Sequence, residues 1–460
     1  MSATAQATPE RQAVPGGQAA AGIIPAVVPT VPAELPEVVE RTLASGLRVL
    51  VVRRATVPLV ELRLRIPFAG AGDEHRARAE LLSETLLTGT AERDRLELAS
   101  AVQSLGGALS AGVDADRLAV VGSALATRTV DLLEILAEVL TGATYPGSEL
   151  AGERDRLVEE VTIANSQPSV IAREALLNRL FGDHPYGRDI PLPASLRAVT
   201  DSDVRDLHSR RVSPAGAILT LVGDVDPDAT LDAVARILDG WTGAASAPTP
   251  PAPRPVPGPV VIVDRPGAVQ TNIRLAGVAL DRGDPLYAAQ RLASIAFGGY
   301  FSSRLVSNIR EDKGYTYSPR SSVDHLLGGS RFTVAADVAT DVTAPALLEI
   351  LYELGKIAVL PIGVDELAAA ARYGAGTLAL STATAAGLAS TLSSLAAFGI
   401  GVEYLRDHPI ALDSVGIDEV QAAAAQIMAP SRLVTVLVGD AAKIRPAVAG
   451  LSGVAPAVTA

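Results

Sequence analysis

Strand-like apolar runs open each half of the chain: "LRVLVVRRA" (47–55) and "VELRLRIPFAG" (60–70) in the first, "PVVIVDRPG" (259–267) and "TNIRLAGVAL" (271–280) in the second. Helix-period patterns follow in both. They cover 76–88, 92–105, 129–140 and 149–164 in the first half, and 284–297, 302–312 and 344–358 in the second. Each half then closes on a polar-started helix, a proline-containing turn and a short apolar strand ending in Val-Gly-Asp. The first close is "DSDVRDLHSRRVSPAGAILTLVGDVDP", and the second is "GIDEVQAAAAQIMAPSRLVTVLVGDAAKI". The matched placement of Val222-Gly223-Asp224 and Val438-Gly439-Asp440 predicts two homologous α+β domains, each a sheet covered by helices.

Between the halves, "TGAASAPTPPAPRPVPGP" (242–259) reads as an extended, semi-rigid linker, because proline fixes its backbone. The expected organisation is a flexible arm over 1–35, a first domain over 36–241, the linker, a second domain over 260–445 and a short tail over 446–460. The arm is rich in Ala, Pro and Gly. It has no basic segment leading into a clean apolar run, and prolines 25, 29 and 32 interrupt its apolar part. A cytoplasmic protein without a membrane partner is expected.

Composition narrows the chemistry. The formal charge is −12 and lysine occurs only at 313, 356 and 443, which argues against nucleic acid or an anionic surface as partner. Without any cysteine, thiolate metal sites, disulfides and cysteine nucleophiles are excluded. Hydrophobic residues make up 48% of the chain but aromatics only 3%, so the cores must be built of Leu, Val, Ile and Ala.

Candidate chemistry begins in "ARAELLSETLLTGT" (77–90), an amphipathic helix closed by a glycine. Glu80, Ser83 and Glu84 stand at i, i+3 and i+4 and so share one face. Two carboxylates without an imidazole make a poor zinc site. The simpler reading is a solvated face on which Arg76 supports Glu80 at i, i+4. The five histidines, His75, His184, His208, His325 and His408, show no metal-ligand spacing.

The ordered succession of "ELLSETLLTGT", "ERDRLVEEV", "FGDHPYGRD", the two Val-Gly-Asp strand ends, "GGYFSSRL" and "IREDKGYTYS" resembles the pitrilysin and mitochondrial-processing-peptidase family. These are zinc peptidases with an inverted H-x-x-E-H motif. The resemblance runs from about residue 36 to 445. It implies a mostly antiparallel sheet in each domain and a clam-shell dimer. Anchored on Gly89-Thr90, the family motif falls on Glu80-Leu81-Leu82-Ser83-Glu84. Both metal-binding histidines are then glutamates, and the general-base glutamate is Ser83, which cannot accept a proton at neutral pH. The distant ligand corresponds to Glu160, with Glu153 seven residues before it, and Glu80, Glu84 and Glu160 together could hold a hard cation only weakly. No metal is therefore expected in this chain.

The second half keeps more. "GGYFSSRLVSNIREDKGYTYSPRSS" (298–322) reads as a Gly-Gly loop, an N-cap at Ser302 or Ser303, a helix, a Lys-Gly stop and a strand. By the resemblance, Arg310 and Tyr317 match an arginine and tyrosine that bind the substrate carbonyl and its oxyanion. Gly298, Gly299, Ser302 and Ser303 would border the bound peptide. The resemblance further implies a heterodimer, in which a homologous H-x-x-E-H chain carries zinc and this chain supplies Arg310 and Tyr317 in trans. The alternatives are a non-catalytic peptide-binding or scaffold homologue, and a lone enzyme with a carboxylate metal site.

Overall fold

The expected strands appear in the computed structural model, which describes residues 34–452, 454 and 458–459. In the first half they are β1 (Val38–Thr42), β2 (Arg48–Arg53), β3 (Leu59–Pro67), β4 (Ala108–Val113), β5 (Arg117–Leu125) and β6 (Ile218–Gly223). They form one six-stranded sheet in the order β1-β2-β6-β3-β5-β4. Every pairing is antiparallel except β2 with β6. Alternation along β3 turns Val60, Leu62, Leu64 and Ile66 into the core.

The second half repeats this plan with β7 (Val261–Asp264), β8 (Gln270–Ala279), β9 (Arg320–Leu326), β10 (Gly329–Ala339), β11 (Val434–Gly439) and β12 (Val458–Thr459). Their order is β12-β7-β11-β8-β10-β9. The two Val-Gly-Asp strands, β6 and β11, hold the same place, parallel to one neighbour and antiparallel to the other. Their glycines are needed for close approach. A Cβ on Gly223 would stand 2.2 Å from the Leu59 carbonyl oxygen, and one on Gly439 would stand 2.7 Å from Thr271 Oγ1. The two homologous α+β halves expected from sequence are thus present.

All residues of β11, and all but Ile218 in β6, are buried. Such strands read as unbroken apolar runs because both faces are covered. Part of that cover is exchanged between halves. Helix Pro168–Phe181 of the first half packs Leu176, Leu177 and Leu180 against Val434, Val436 and Val438 of β11. In return, helix Ala385–Ala397 of the second half packs Leu388, Leu392 and Leu395 against Val52 and Val222. These two helices, with Val364–Ser381 and Tyr404–Ser414, were not anticipated from the sequence.

The linker residues 242–258 form neither helix nor strand and are pinned to both halves. Thr249 Oγ1 donates to Asp116 Oδ1 (2.9 Å), Arg179 donates to the Val256 carbonyl (2.6 Å), and Ala252 N donates to the Gly328 carbonyl (2.7 Å). Residues from 34 onward belong to one compact unit. Beyond 445, helix Ala441–Ala449 continues and β12 adds to β7, so the expected tail extends the second sheet. The expected N-terminal arm lies, as far as residue 33, outside the described residues. Among the described residues no single helix is long and apolar enough to cross a membrane; the pair Val364–Ser381 and Ala385–Ala397 passes jointly, bent by 109°.

Candidate functional site

Glu80, Ser83 and Glu84 lie on helix Asp73–Thr85, whose first turn carries Asp73 and Glu74 where the helix dipole favours acids. Ala77, Leu81 and Leu82 bury its apolar face completely. The expected solvated polar face needs correction. Ser83 is buried and its Oγ donates to the Glu80 carbonyl (2.9 Å), so it is consumed by the helix backbone. Glu80 is largely buried, and that burial raises its pKa from 4.5 to about 7, with Glu84 and Glu160 adding to the rise and Arg76 opposing it. Arg76 makes no ion pair with Glu80, because its guanidinium donates to the Asp189 and Pro185 carbonyls, each at 3.1 Å.

What holds the carboxylates together is an arginine. Helix Gly147–Ala164 brings Glu153, Arg156 and Glu160 to one face through i, i+3 and i, i+4 spacing. Arg156 donates Nε to Glu153 Oε2 (2.6 Å), Nη1 to Glu160 Oε1 (2.6 Å), and Nη2 across the helix pair to Glu84 Oε2. Arg95 completes the network on Glu149 (2.7 Å) and Glu153 (3.1 Å). The Arg156 pKa is driven up, first by its bond to Glu153. Glu84, Glu153 and Glu160 therefore converge on one guanidinium, while Glu80 makes no bond to it.

This donor set does not fit zinc. It contains no imidazole, Ser83 is turned to the backbone, and three of the four carboxylates already carry Arg156. Among the described residues no group of three or more acidic or histidine side chains is arranged to hold a metal ion.

The second-half element departs from the simple helix expected. A π-helical turn, Ile295–Gly299, leads through Tyr300 to a short helix, Arg304–Val306, and a second π-helical turn, Ser307–Asp312. Gly298 and Gly299 thus end a helix instead of forming a free loop. A Cβ on Gly298 would lie 2.7 Å from Ser321 Oγ, so the glycine lets this turn close onto β9. Ser303 occupies the N-cap position, but its buried Oγ makes no cap bond, and Ser302 is exposed. The Lys-Gly stop holds: Lys313 caps the turn and Gly314 takes φ +65°.

Arg310 and Tyr317 are brought together. The Arg310 guanidinium lies 4.6 Å from the Tyr317 ring centroid and 4.8 Å from that of Phe301. Tyr317 is 80% exposed and Phe301 is 62% exposed. Neither ring is there for core packing, and Tyr317 precedes β9 instead of lying on a strand. Arg310 Nε is 3.1 Å from Glu311, its one ion pair among the described residues. Both rings lie within cation–π range of the guanidinium, and the Arg310 side chain is 28% exposed. Among the described residues no hydrogen bond or ion pair links this group to the Arg156 cluster.

Two family models match this sequence. "Insulinase (Peptidase family M16)" covers 49–194, and "Peptidase M16 inactive domain" covers 198–373. The chain belongs to the M16 peptidase family. It is 27% identical to an uncharacterized zinc protease of Mycobacterium leprae over 304 residues, 64% of this chain and 68% of the relative. Against an uncharacterized zinc protease of Streptomyces coelicolor the identity is 24% over 340 residues, 71% and 73% of the two chains. Two solved structures share the fold. A peptidase M16 inactive domain from Pseudomonas fluorescens aligns with TM-score 0.82 and 24% identity, over 88% of this chain and 98% of that one. A protease from Helicobacter pylori aligns with TM-score 0.80 and 18% identity, over 88% and 100%.

Two features of this M16 chain escaped sequence reasoning. Arg156 stands in "ERDRLVEEV" at i+3 from Glu153 and i−4 from Glu160, a spacing that marks it as their partner. Phe301 carried no comparable signal, because its contact with Arg310 depends on the π-helical turns.

Proposed function

We propose that this chain is the metal-free subunit of a two-chain M16 endopeptidase, presenting Arg310 and Tyr317 to a peptide held by a homologous chain with an intact H-x-x-E-H motif. The observation that carries this reading is a contrast within one molecule. Glu84, Glu153 and Glu160 are engaged by Arg156, whereas half-buried Arg310 and exposed Tyr317 lie side by side, Arg310 pairing among the described residues only with its neighbour Glu311.

The chemistry follows from the donors. The guanidinium, 4.8 Å from the Phe301 ring centroid and 4.6 Å from that of Tyr317, offers paired N–H groups, and the phenol of Tyr317 offers an O–H. Both are donors to a peptide carbonyl oxygen, and both gain strength as that oxygen becomes negative during attack by water. They take no proton themselves. Zinc belongs to the partner chain in this reading, and the substrate is a peptide or an unfolded segment shared between the two chains.

The test is co-expression with an H-x-x-E-H homologue and turnover of a fluorogenic peptide. Arg310→Ala is expected to lower kcat by about 10²–10³-fold, the usual cost of one oxyanion donor, with Tyr317→Phe lowering it less. Melting temperatures should change little, since Tyr317 is exposed and the one ion pair of Arg310 among the described residues is to exposed Glu311. Unaltered turnover in both variants refutes the role in trans. Peptide binding without cleavage by any such pair would make the chain a binding homologue instead.

A further inference from the structure

Between the edge strand β9 and helices Tyr287–Ser294, Val364–Ser381, Ala385–Ala397 and Tyr404–Ser414 lies a cavity of about 490 Å³. That is the size of a small-molecule site. Its walls carry Arg282, Arg291, Tyr287, Tyr404, His325 and His408, and no carboxylate among the described residues lines it. Thr391 and Ser394 add hydroxyls from helix Ala385–Ala397, whereas the lining Thr377 and Ser381 donate to the Gly374 and Leu378 carbonyls of their own helix.

The two arginines are unusual for being unpaired. Among the described residues neither makes an ion pair, although most other buried or half-buried arginines of this acidic chain do. Arg282 is set among three rings, 5.4 Å from Phe398, 5.7 Å from Tyr404 and 6.0 Å from Tyr287, and its buried Nε has no partner. A buried cationic donor without an acceptor is costly, and the aromatic faces offset only part of that cost. The nearby acids are already engaged: Asp324 pairs with Arg331 at 2.9 Å, and Asp281 accepts from Ser330 Oγ at 2.7 Å. Both histidines register the positive field. Burial first, and then Arg282 and Arg291, lower His325 and His408 to about 4, so each is neutral at pH 7.

We infer that this cavity binds a small phosphorylated molecule, with its phosphate held by Arg282 and Arg291 and its organic part lying along the Tyr287, Tyr404 and Leu395 walls. A monovalent carboxylate would offset only one of the two positive charges. A tetrahedral dianion matches two cations and donors arriving from several sides. The volume exceeds that of one phosphate group, and Tyr404 stacked on His408, with centroids 4.6 Å apart and planes 12° from parallel, extends the flat apolar wall on which a ring could lie. The inference does not rest on Arg310 and Tyr317, which belong to another element.

Isothermal titration of the full chain at fixed ionic strength tests it, with phenyl phosphate, inorganic phosphate and benzoate as probes. Phenyl phosphate is expected to bind saturably at one site, inorganic phosphate more weakly, and benzoate weakest. Tighter binding of inorganic phosphate than of phenyl phosphate would overturn the role of the organic part. Arg291→Gln should weaken phenyl phosphate by about tenfold or more, the worth of a charge-assisted bond. Arg41→Gln, which removes a surface cation paired with Asp232, should leave it unchanged. Arg282→Gln is expected to act like Arg291→Gln. Because Arg282 is packed on three rings and Arg291 has no partner among the described residues, Arg291→Gln keeps the test decisive even if the other variant fails to fold. Absence of saturable binding, binding indifferent to Arg291, or benzoate binding as tightly as phenyl phosphate overturns the inference.

Discussion

Replacing Glu80 by glutamine is expected to stabilise the fold at pH 8 and to leave it unchanged near pH 4. The carboxyl is raised from 4.5 to about 7, chiefly by burial and then by Glu84 and Glu160. Below pH 4.5 both the folded and the unfolded chain hold the proton, and the residue contributes no pH dependence. Between 4.5 and 7 the unfolded chain releases the proton while the folded one retains it, so stability falls as pH rises. Above 7 the loss is complete. At about 1.4 kcal/mol per pH unit it amounts to about 3 kcal/mol. Glutamine matches the protonated acid in shape and never ionises, so the variant should not show this loss. Urea unfolding of both proteins at several pH values from 4 to 8 reads the difference directly. A gap that opens with pH to about 3 kcal/mol supports the buried, proton-holding carboxyl. A constant gap, or a variant less stable at pH 8, refutes it.

Further perturbations probe the same architecture. Arg156→Met should cost about 1–3 kcal/mol in urea unfolding, because Glu153 is buried and keeps only Arg95 while Glu84 and Glu160 lose their shared partner; no loss would mean the network is merely superficial. Gly298→Ala should destabilise by about 1–3 kcal/mol, since its Cβ meets Ser321 Oγ at 2.7 Å and Ser321 N at 3.0 Å. Gly299→Ala, with Ser294 O at 3.1 Å as its nearest neighbour, should cost less in the same thermal melts, and the reverse order would contradict the packing described.

The repeat of two halves was legible because it rests on local signals. Alternation in β3 and the apolar runs of β6 and β11 follow from which faces are covered, and the strand-ending glycines are demanded by neighbours 2.2 and 2.7 Å away. Helix Ala385–Ala397, "AAGLASTLSSLAA", was not legible, because its leucines pack against Val52 and Val222 of the other half and its other residues are small. Pro168–Phe181 was missed for the same reason, its leucines being shaped to β11. At the site, helical spacing could align Glu80 with Glu84, and Glu153 with Glu160. Whether an ion or a side chain lies between two helices is a tertiary fact that neither helix carries alone.

That tertiary fact governs what installing a zinc motif at these positions could achieve. Glu80→His, Ser83→Glu and Glu84→His together would write H-x-x-E-H at 80–84, yet Arg156 would still hold Glu160 at 2.6 Å and keep a positive charge beside the new imidazoles. A dication would then have to displace a guanidinium that loses only the Glu84 contact and keeps the bonds to Glu153 and Glu160. The triple variant is therefore expected to retain less than stoichiometric zinc after dialysis and metal analysis. Adding Arg156→Leu should bring retention to one ion per chain, because Glu160 becomes free as the third ligand with two histidines. Full retention in the triple variant would show that Arg156 yields readily and that histidines at 80 and 84 suffice for metal binding. Equal failure of both would place the obstacle in the spacing of the two helices instead of in the arginine's charge.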